Sequence, residues 1–226
     1  MNKSLKIKLE SLKTLSPITK NQESVFKSYK EGNHLCLAGS AGTGKTFLAI
    51  GLGLEDVLDK NTPQEKLVIV RSIVPTRDIG FLPGTEEEKN DAYTAPYRGI
   101  LSELVQDGDS WNKLVQQGSL QFLSTSFIRG TTISNAVIVV DEMQNLSFHE
   151  LDSVITRVGE NCRLIFCGDY YQSDFEKDKD KNGILQFMKI ISKMKHFDTI
   201  EFSWEDIVRS GLVREYIMTK EHMGIK

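Results

Sequence analysis

The chain has 226 residues, 39 % hydrophobic and 26 % charged, with a formal net charge of −3. That length bounds it to one domain or one domain with extensions, and that composition to a globular chain able to bury a core. No apolar run approaches the roughly 18–20 residues that span a bilayer, and the near-balanced charge does not mark a general nucleic-acid binder, although it leaves room for a local basic stripe.

The N-terminus, Met1 to Lys13, mixes lysine and leucine without the continuous apolar stretch of a secretory signal. Residues 1–14 read as an N-terminal extension and 15–226 as a single domain. Gln22 opens a helical pattern three residues after Thr19. Its carboxamide offers a donor and an acceptor together, matching the edge of adenine. Equally, Thr19-x-x-Gln22 has the spacing of a helix capping box. No N-K-x-D motif of the guanine-reading kind occurs, which favours adenine among the bases.

The first apolar run of strand length is His34–Ala38. It leads into Gly39, Ser40, Ala41, Gly42, Thr43, Gly44, Lys45 and Thr46, a full G-x-x-x-x-G-K-[ST] match, and a helical pattern over Thr46–Leu58 follows. Glycines let successive backbone N–H groups turn toward one point at a helix N-terminus, which suits a polyphosphate. Lys45 is placed to reach the β- and γ-phosphates and Thr46 to hold magnesium. The combination of strand, loop and helix is what separates this motif from a glycine-rich turn with a chance lysine.

Leu67–Val70 reads as a second strand. From Ile73 to Asp91 periodicity disappears, with two prolines, two glycines and the acidic run Glu86–Glu88, which predicts a long irregular connection. Further strands are expected at Leu120–Ser124, Ala136–Val140, Arg163–Cys167 and Thr199–Phe202. Helices are expected at Ser147–Val158, with a Ser147-x-x-Glu150 capping box, and at Asn182–Met194. The alternating charges of Glu176–Lys181 read as a solvated loop. Near-continuous apolar strands alternating with helices predict an α/β fold whose mainly parallel sheet is covered on both faces.

Ala136–Val140 runs into Asp141 and Glu142. A buried parallel strand delivers its C-terminal residues to the ligand edge of its sheet, so Asp141 is placed to orient the magnesium shell and Glu142 the attacking water. Two carboxylates favoured by a helix dipole are the bland alternative. Past the Arg163–Cys167 strand, Gln172 is a candidate sensor of the γ-phosphate, or an ordinary loop residue after a Gly-Asp turn. Cys36, Cys162 and Cys167 form no disulfide framework and no metal spacing, and the four histidines are scattered. Cys36 and Cys167 are expected as buried free thiols, and a reducing, cytoplasmic location fits best.

Together these blocks resemble the PhoH family of P-loop ATPases, related to superfamily 1 helicases. The segments that carry the resemblance are GSAGTGKT (39–46), GFLPGT (80–85) with Lys89 and Pro96-Tyr97 after it, SFIRGTTISNAVIVVDEMQN (126–145), TRVG (156–159), CGDYYQSD (167–174) and DIVRSGLV (206–213). They span about residues 15–218. Met143 stands where the family has alanine, Ser72 where it has proline, and Ser210-Gly211 where its last motif is basic and contains proline. With neither a nuclease domain before nor an RNA-binding domain after, a short, minimal member is expected.

The resemblance implies a RecA-like P-loop NTPase fold, ATP and Mg2+ as ligands, and hydrolysis of ATP. It implies a homo-oligomeric ring, six-membered in expectation, acting on single-stranded RNA or DNA without a membrane. A nucleotide-gated oligomeric switch or scaffold is the alternative. Related helicases supply an arginine finger from a second lobe, for which this chain has no sequence. The finger must then come from the C-terminal segment or a neighbouring subunit, with Arg209 first, Arg157 second, and Arg71, Arg98 and Arg129 after them.

Overall fold

The computed structural model describes residues 6–72, 86–128, 130–169 and 178–223. Six strands form one sheet: β1 (His34–Gly39), β2 (Lys66–Arg71), β3 (Leu120–Ser124), β4 (Ala136–Val140), β5 (Arg163–Gly168) and β6 (Phe197–Phe202). Their order is β3-β2-β4-β5-β1-β6, and every pairing is parallel. The strand before the phosphate loop, β1, is thus separated from the acidic strand β4 by β5 alone. All six therefore deliver their C-terminal ends to one edge, where open α/β sheets bind ligands.

Helices cover both faces, which is why the inner strands β1, β2, β4 and β5 read as near-continuous apolar runs, while the edge strands β3 and β6 carry exposed polar residues. One face takes α1 (Lys20–Lys30), α2 (Lys45–Leu58), α3 (Glu86–Val105) and α4 (Ser110–Gln116), packed on Leu35, Leu37, Leu67, Ile69, Val137 and Val139. The other takes α5 (Phe148–Ile155) and α6 (Asp178–Ile191), packed on Cys36, Ala38, Val68, Val70, Ile138 and Val140. The alternation along each strand follows from the two-residue period of the pleat. A last helix, α7 (Gly211–His222), follows the final strand and belongs to neither layer. The architecture is the expected α/β, RecA-like parallel sheet. Among the described residues no helix is long and apolar enough to cross a membrane.

The N-terminal residues pack on this body. Ile7 is buried in the first core, Lys13 N–H donates to the Leu104 carbonyl at 2.8 Å, and Leu12 and Leu15 lie against the same core.

Two local expectations need correction. The last part of the stretch expected to be irregular, residues 86–91, is helical, because α3 begins at Glu86. Its inward positions Tyr97, Leu101, Leu104 and Val105 follow helical spacing, but Pro96 interrupts the signal. Similarly, the charged run expected as a loop enters α6 at Asp178. The GFLPGT segment and residues 170–177 lie outside the described residues.

Candidate nucleotide site

The phosphate loop curls because three of its glycines take positive φ: Gly39 at 117°, Gly42 at 77° and Gly44 at 83°. Gly39 has a second reason to lack a side chain, since a Cβ there would lie 1.9 Å from the Phe202 carbonyl oxygen on β6. Ser40 N–H donates to that same carbonyl at 3.1 Å, so the loop springs from the β1–β6 pair. Gly44 caps α2, whose first residue is Lys45. Lys45 Nζ donates to Gly39 O at 2.7 Å, Ser40 O at 2.6 Å and Thr43 Oγ1 at 3.3 Å. Only 8 % exposed, its ammonium is pushed below its ordinary value by burial, an effect that Cys167, Asp169, Glu142 and Asp141 partly offset.

Thr46 Oγ1 donates to Asp141 Oδ1 at 2.7 Å. This bond joins the start of α2 to the end of β4 across 95 residues of sequence. The other carboxylate oxygen, Oδ2, accepts from Tyr97 Oη at 2.9 Å. Asp141 N–H in turn donates to the Val70 carbonyl at 2.9 Å, which sets the carboxylate beside the last residue of β2, Arg71. Burial works against the Arg71 charge, but Tyr97, Glu142 and Asp141 outweigh it and hold the guanidinium above its ordinary value.

Glu142 adopts the left-handed conformation, φ 53° and ψ 44°. For a residue with a Cβ this costs on the order of 1–3 kcal/mol. Burial, and then the neighbouring Asp141, raise its carboxyl above the ordinary value; Arg71, Gln144 and Lys45 offset part of the rise. Gln144 is 6 % exposed. Its Nε2 donates to Glu142 Oε2 at 2.5 Å, and its Oε1 accepts from Asp169 N–H at 3.0 Å. Gln144 was not singled out as a site residue by sequence; the signal available was its place three residues after Asp141 in the acidic motif.

Gln22 is 3 % exposed and lies against the loop. Its Nε2 donates to the Thr43 carbonyl at 3.2 Å and its Oε1 accepts from Ile18 N–H at 2.8 Å. Thr19 Oγ1 does accept from Gln22 N–H at 3.3 Å, but the glutamine side chain turns to the loop instead of closing the capping box. Thr19 and Asn21 also bond the Asp206 carboxylate, the latter at 2.7 Å. Val208 N–H then donates to the Gly42 carbonyl at 3.1 Å. The segment before the first strand, the phosphate loop and the segment after the last strand therefore meet at one place.

The arginines separate. A Cβ on Gly42 would stand 3.0 Å from Arg209 Cγ, so the Arg209 stem lies along the phosphate loop of its own chain, and the residue is exposed. Arg71 is at the acidic pair. Arg157 lies at the opposite edge of the sheet, where its carbonyl accepts from Ile133 N–H ahead of β4 and its Nε is buried without a partner among the described residues. Arg98 stacks over the Trp111 ring at 5.4 Å. Gln172 and Arg129 lie outside the described residues.

The cysteines are free, and Cys36 and Cys167 are buried as expected. Burial pushes the Cys36 thiol up to about 12 and that of Cys167 well above its ordinary value.

The donors at the head of α2 suit a magnesium ion. Thr46 and Asp141 present hard oxygens 2.7 Å apart, and Mg2+ prefers one or two such protein groups with phosphate oxygens and waters completing its shell.

Comparison with known proteins supplies the family. A PhoH-like protein of Mycobacterium leprae (strain TN) is 30 % identical over 214 residues, 94 % of this chain and 60 % of its own length. Protein PhoH2 of Bacillus subtilis (strain 168) is 41 % identical over 153 residues, 66 % of this chain and 34 % of its own. The chain thus spans less than two thirds of either relative. Among solved structures, the large terminase from a thermophilic bacteriophage, in complex with ADP, covers 88 % of this chain and 49 % of its own, with a TM-score of 0.48 and 14 % identity. Pif1 helicase from Candida albicans covers 84 % and 41 %, with a TM-score of 0.36 and 18 % identity. The profile of the PhoH family, described as PhoH-like protein, matches residues 14–221, and on that match this P-loop NTPase chain belongs to the PhoH family.

Proposed function

We propose that the chain binds ATP with Mg2+ and hydrolyses it, and that as a ring oligomer it uses the energy to act on single-stranded nucleic acid. The observation that carries this reading is the Thr46–Asp141 bond, which brings the phosphate loop and the acidic strand end into one site.

The loop amides, converging at the head of α2, take the phosphates. Lys45 exchanges its loop oxygens for phosphate oxygens, where its positive charge offsets the charge developing on the γ-phosphoryl group. Thr46 and Asp141 would hold a magnesium ion together with the nucleotide, and the ion would supply positive charge to offset that of the phosphates. Glu142, with its carboxyl raised and one oxygen fixed by Gln144, orients the attacking water and draws off its proton. Gln172 senses the γ-phosphate. Arg209, beside the loop, supplies the cation that stabilises the transferred group. Gln22, Ile18 and Val208 border the position of the base.

Family membership and the relation to helicases stated above support the nucleic-acid assignment; the net charge of −3 favours the second reading, a nucleotide-gated switch. Steady-state ATPase assays with and without single-stranded RNA and DNA, alongside native mass measurement, decide between them. We expect Mg-dependent turnover, abolished in Lys45→Ala, strongly stimulated by one of the nucleic acids with salt-sensitive binding, and a ring mass. Undiminished turnover in Lys45→Ala removes the phosphate-loop mechanism. Unstimulated turnover selects the switch, and full-rate turnover by a monomer removes the ring.

A further inference from the structure

We propose that Tyr97 is the positioning residue for the Asp141 carboxylate, acting through its hydroxyl bond to Oδ2. The inference rests on the reading that Thr46 and Asp141 hold a divalent cation with the nucleotide.

A carboxylate on a strand end can rotate about its last bond unless both oxygens are engaged. In Asp141 both are: Oδ1 accepts from Thr46 and Oδ2 accepts from Tyr97 at 2.9 Å. Tyr97 is 0 % exposed and is packed in the middle of α3 in the core that also holds Leu101, Leu104 and α2. Its ring lies 6.0 Å from that of Phe122. Apolar packing alone would be met by phenylalanine at this place, so the hydroxyl is there for its bonds.

The hydroxyl has one proton to give, and it goes to Asp141 Oδ2. That bond holds Oδ2 on the core side and keeps Oδ1 toward Thr46 and the cation. Both ends of the bond are fixed, since the tyrosine is locked in the core and the aspartate follows a buried strand.

The alternative is a core tyrosine whose hydroxyl is merely satisfied. The two differ in metal affinity at constant fold. Mn2+ binding to the ADP complex is measured by electron paramagnetic resonance for wild type, Tyr97→Phe and Asp141→Asn, with metal-free ADP affinity and melting temperature in parallel. We expect Tyr97→Phe to bind Mn2+ about tenfold more weakly, with metal-free ADP affinity unchanged. At saturating Mg2+ its kcat returns to within about threefold of wild type, so the defect appears in the metal requirement and not in turnover. Mn2+ affinity equal to wild type in a folded Tyr97→Phe overturns the proposal while leaving the metal reading intact. Equal loss of metal-free ADP affinity also overturns it, since that is general damage. A wild-type ADP complex that retains no Mn2+, or an Asp141→Asn that binds it undiminished, overturns the metal reading and this inference with it.

Discussion

Gln144 ties the Glu142 carboxylate to the backbone of Asp169: its amide nitrogen donates to Glu142 at 2.5 Å while its amide oxygen receives the Asp169 N–H at 3.0 Å. The bridge runs from the end of β4 to the end of β5, so whatever moves one strand end is felt at the other. A carbon on Gly168 would stand 2.3 Å from the same amide oxygen, which leaves the glutamine one place to sit. Gln144→Ala frees Glu142 and should slow hydrolysis by roughly 10–100-fold, with nucleotide affinity changed little. Gln144→Glu, which sets a second carboxylate against Glu142, should be at least as slow. Single-turnover rates beside equilibrium nucleotide binding test this; unaltered rates in both variants would show that the bridge has no part in water positioning.

The raised carboxyl of Glu142 has a consequence for stability. A carboxyl that holds its proton more tightly when folded favours the folded state at low pH and loses that contribution as pH rises through its folded value. The ordinary value is 4.5, and the Glu142 value lies above it. Near neutral pH the charged side chain therefore works against the fold. Glu142→Gln should melt on the order of a few degrees higher there, with the difference shrinking as pH falls toward 4.5. The same variant should hydrolyse ATP roughly 100-fold more slowly or worse while still binding it. A melting temperature lowered at every pH would contradict the electrostatic argument.

Gln22 holds the loop, and in the proposed site it also borders the base. Each of its polar atoms has one bond made and further capacity, because an amide carries two donors and two lone pairs. Gln22→Ala removes two partly or fully buried bonds worth about 1 kcal/mol each, so melting temperature should fall. If the remaining capacity reads adenine, the apparent KM should rise more for ATP than for GTP. Base preference unchanged alongside the thermal loss would leave Gln22 as a strut for Thr43 alone.

Arg209 lies against Gly42 of its own chain, which argues that it serves its own site. Arg209→Ala and Glu142→Gln should each be inactive. Mixed oligomers of the two, confirmed by native mass spectrometry, should then recover nothing, because no site in them is complete. Recovered activity would place Arg209 across a subunit boundary, and loss of activity in Arg157→Ala alone would then need the same mixing test.

Sequence alone determined the elements whose physics is local. The phosphate loop is legible because glycines, a lysine and a threonine at fixed spacing have one job between a strand and a helix. The four inner strands were legible because a parallel sheet buried on both faces needs near-continuous apolar runs, as in Ala136–Val140, and the edge strands β3 and β6 were still found although exposed polar residues interrupt them. The Ser147–Glu150 capping box was legible because its partners are three residues apart, and it forms as read. Contacts made through the tertiary fold were not legible. Tyr97 and Asp141 are 44 residues apart in the chain, and no periodicity marks a tyrosine in a proline-containing helix as the partner of a strand-end carboxylate. Arg71, Arg157 and Arg209 looked alike as arginines; the tertiary fold put the first at the acidic pair, the second at the far edge after α5 and the third beside the loop. Gln22 fitted two local patterns, and the packing of its segment against Thr43 sent its side chain to the loop, because a buried carboxamide must find partners wherever the fold supplies them.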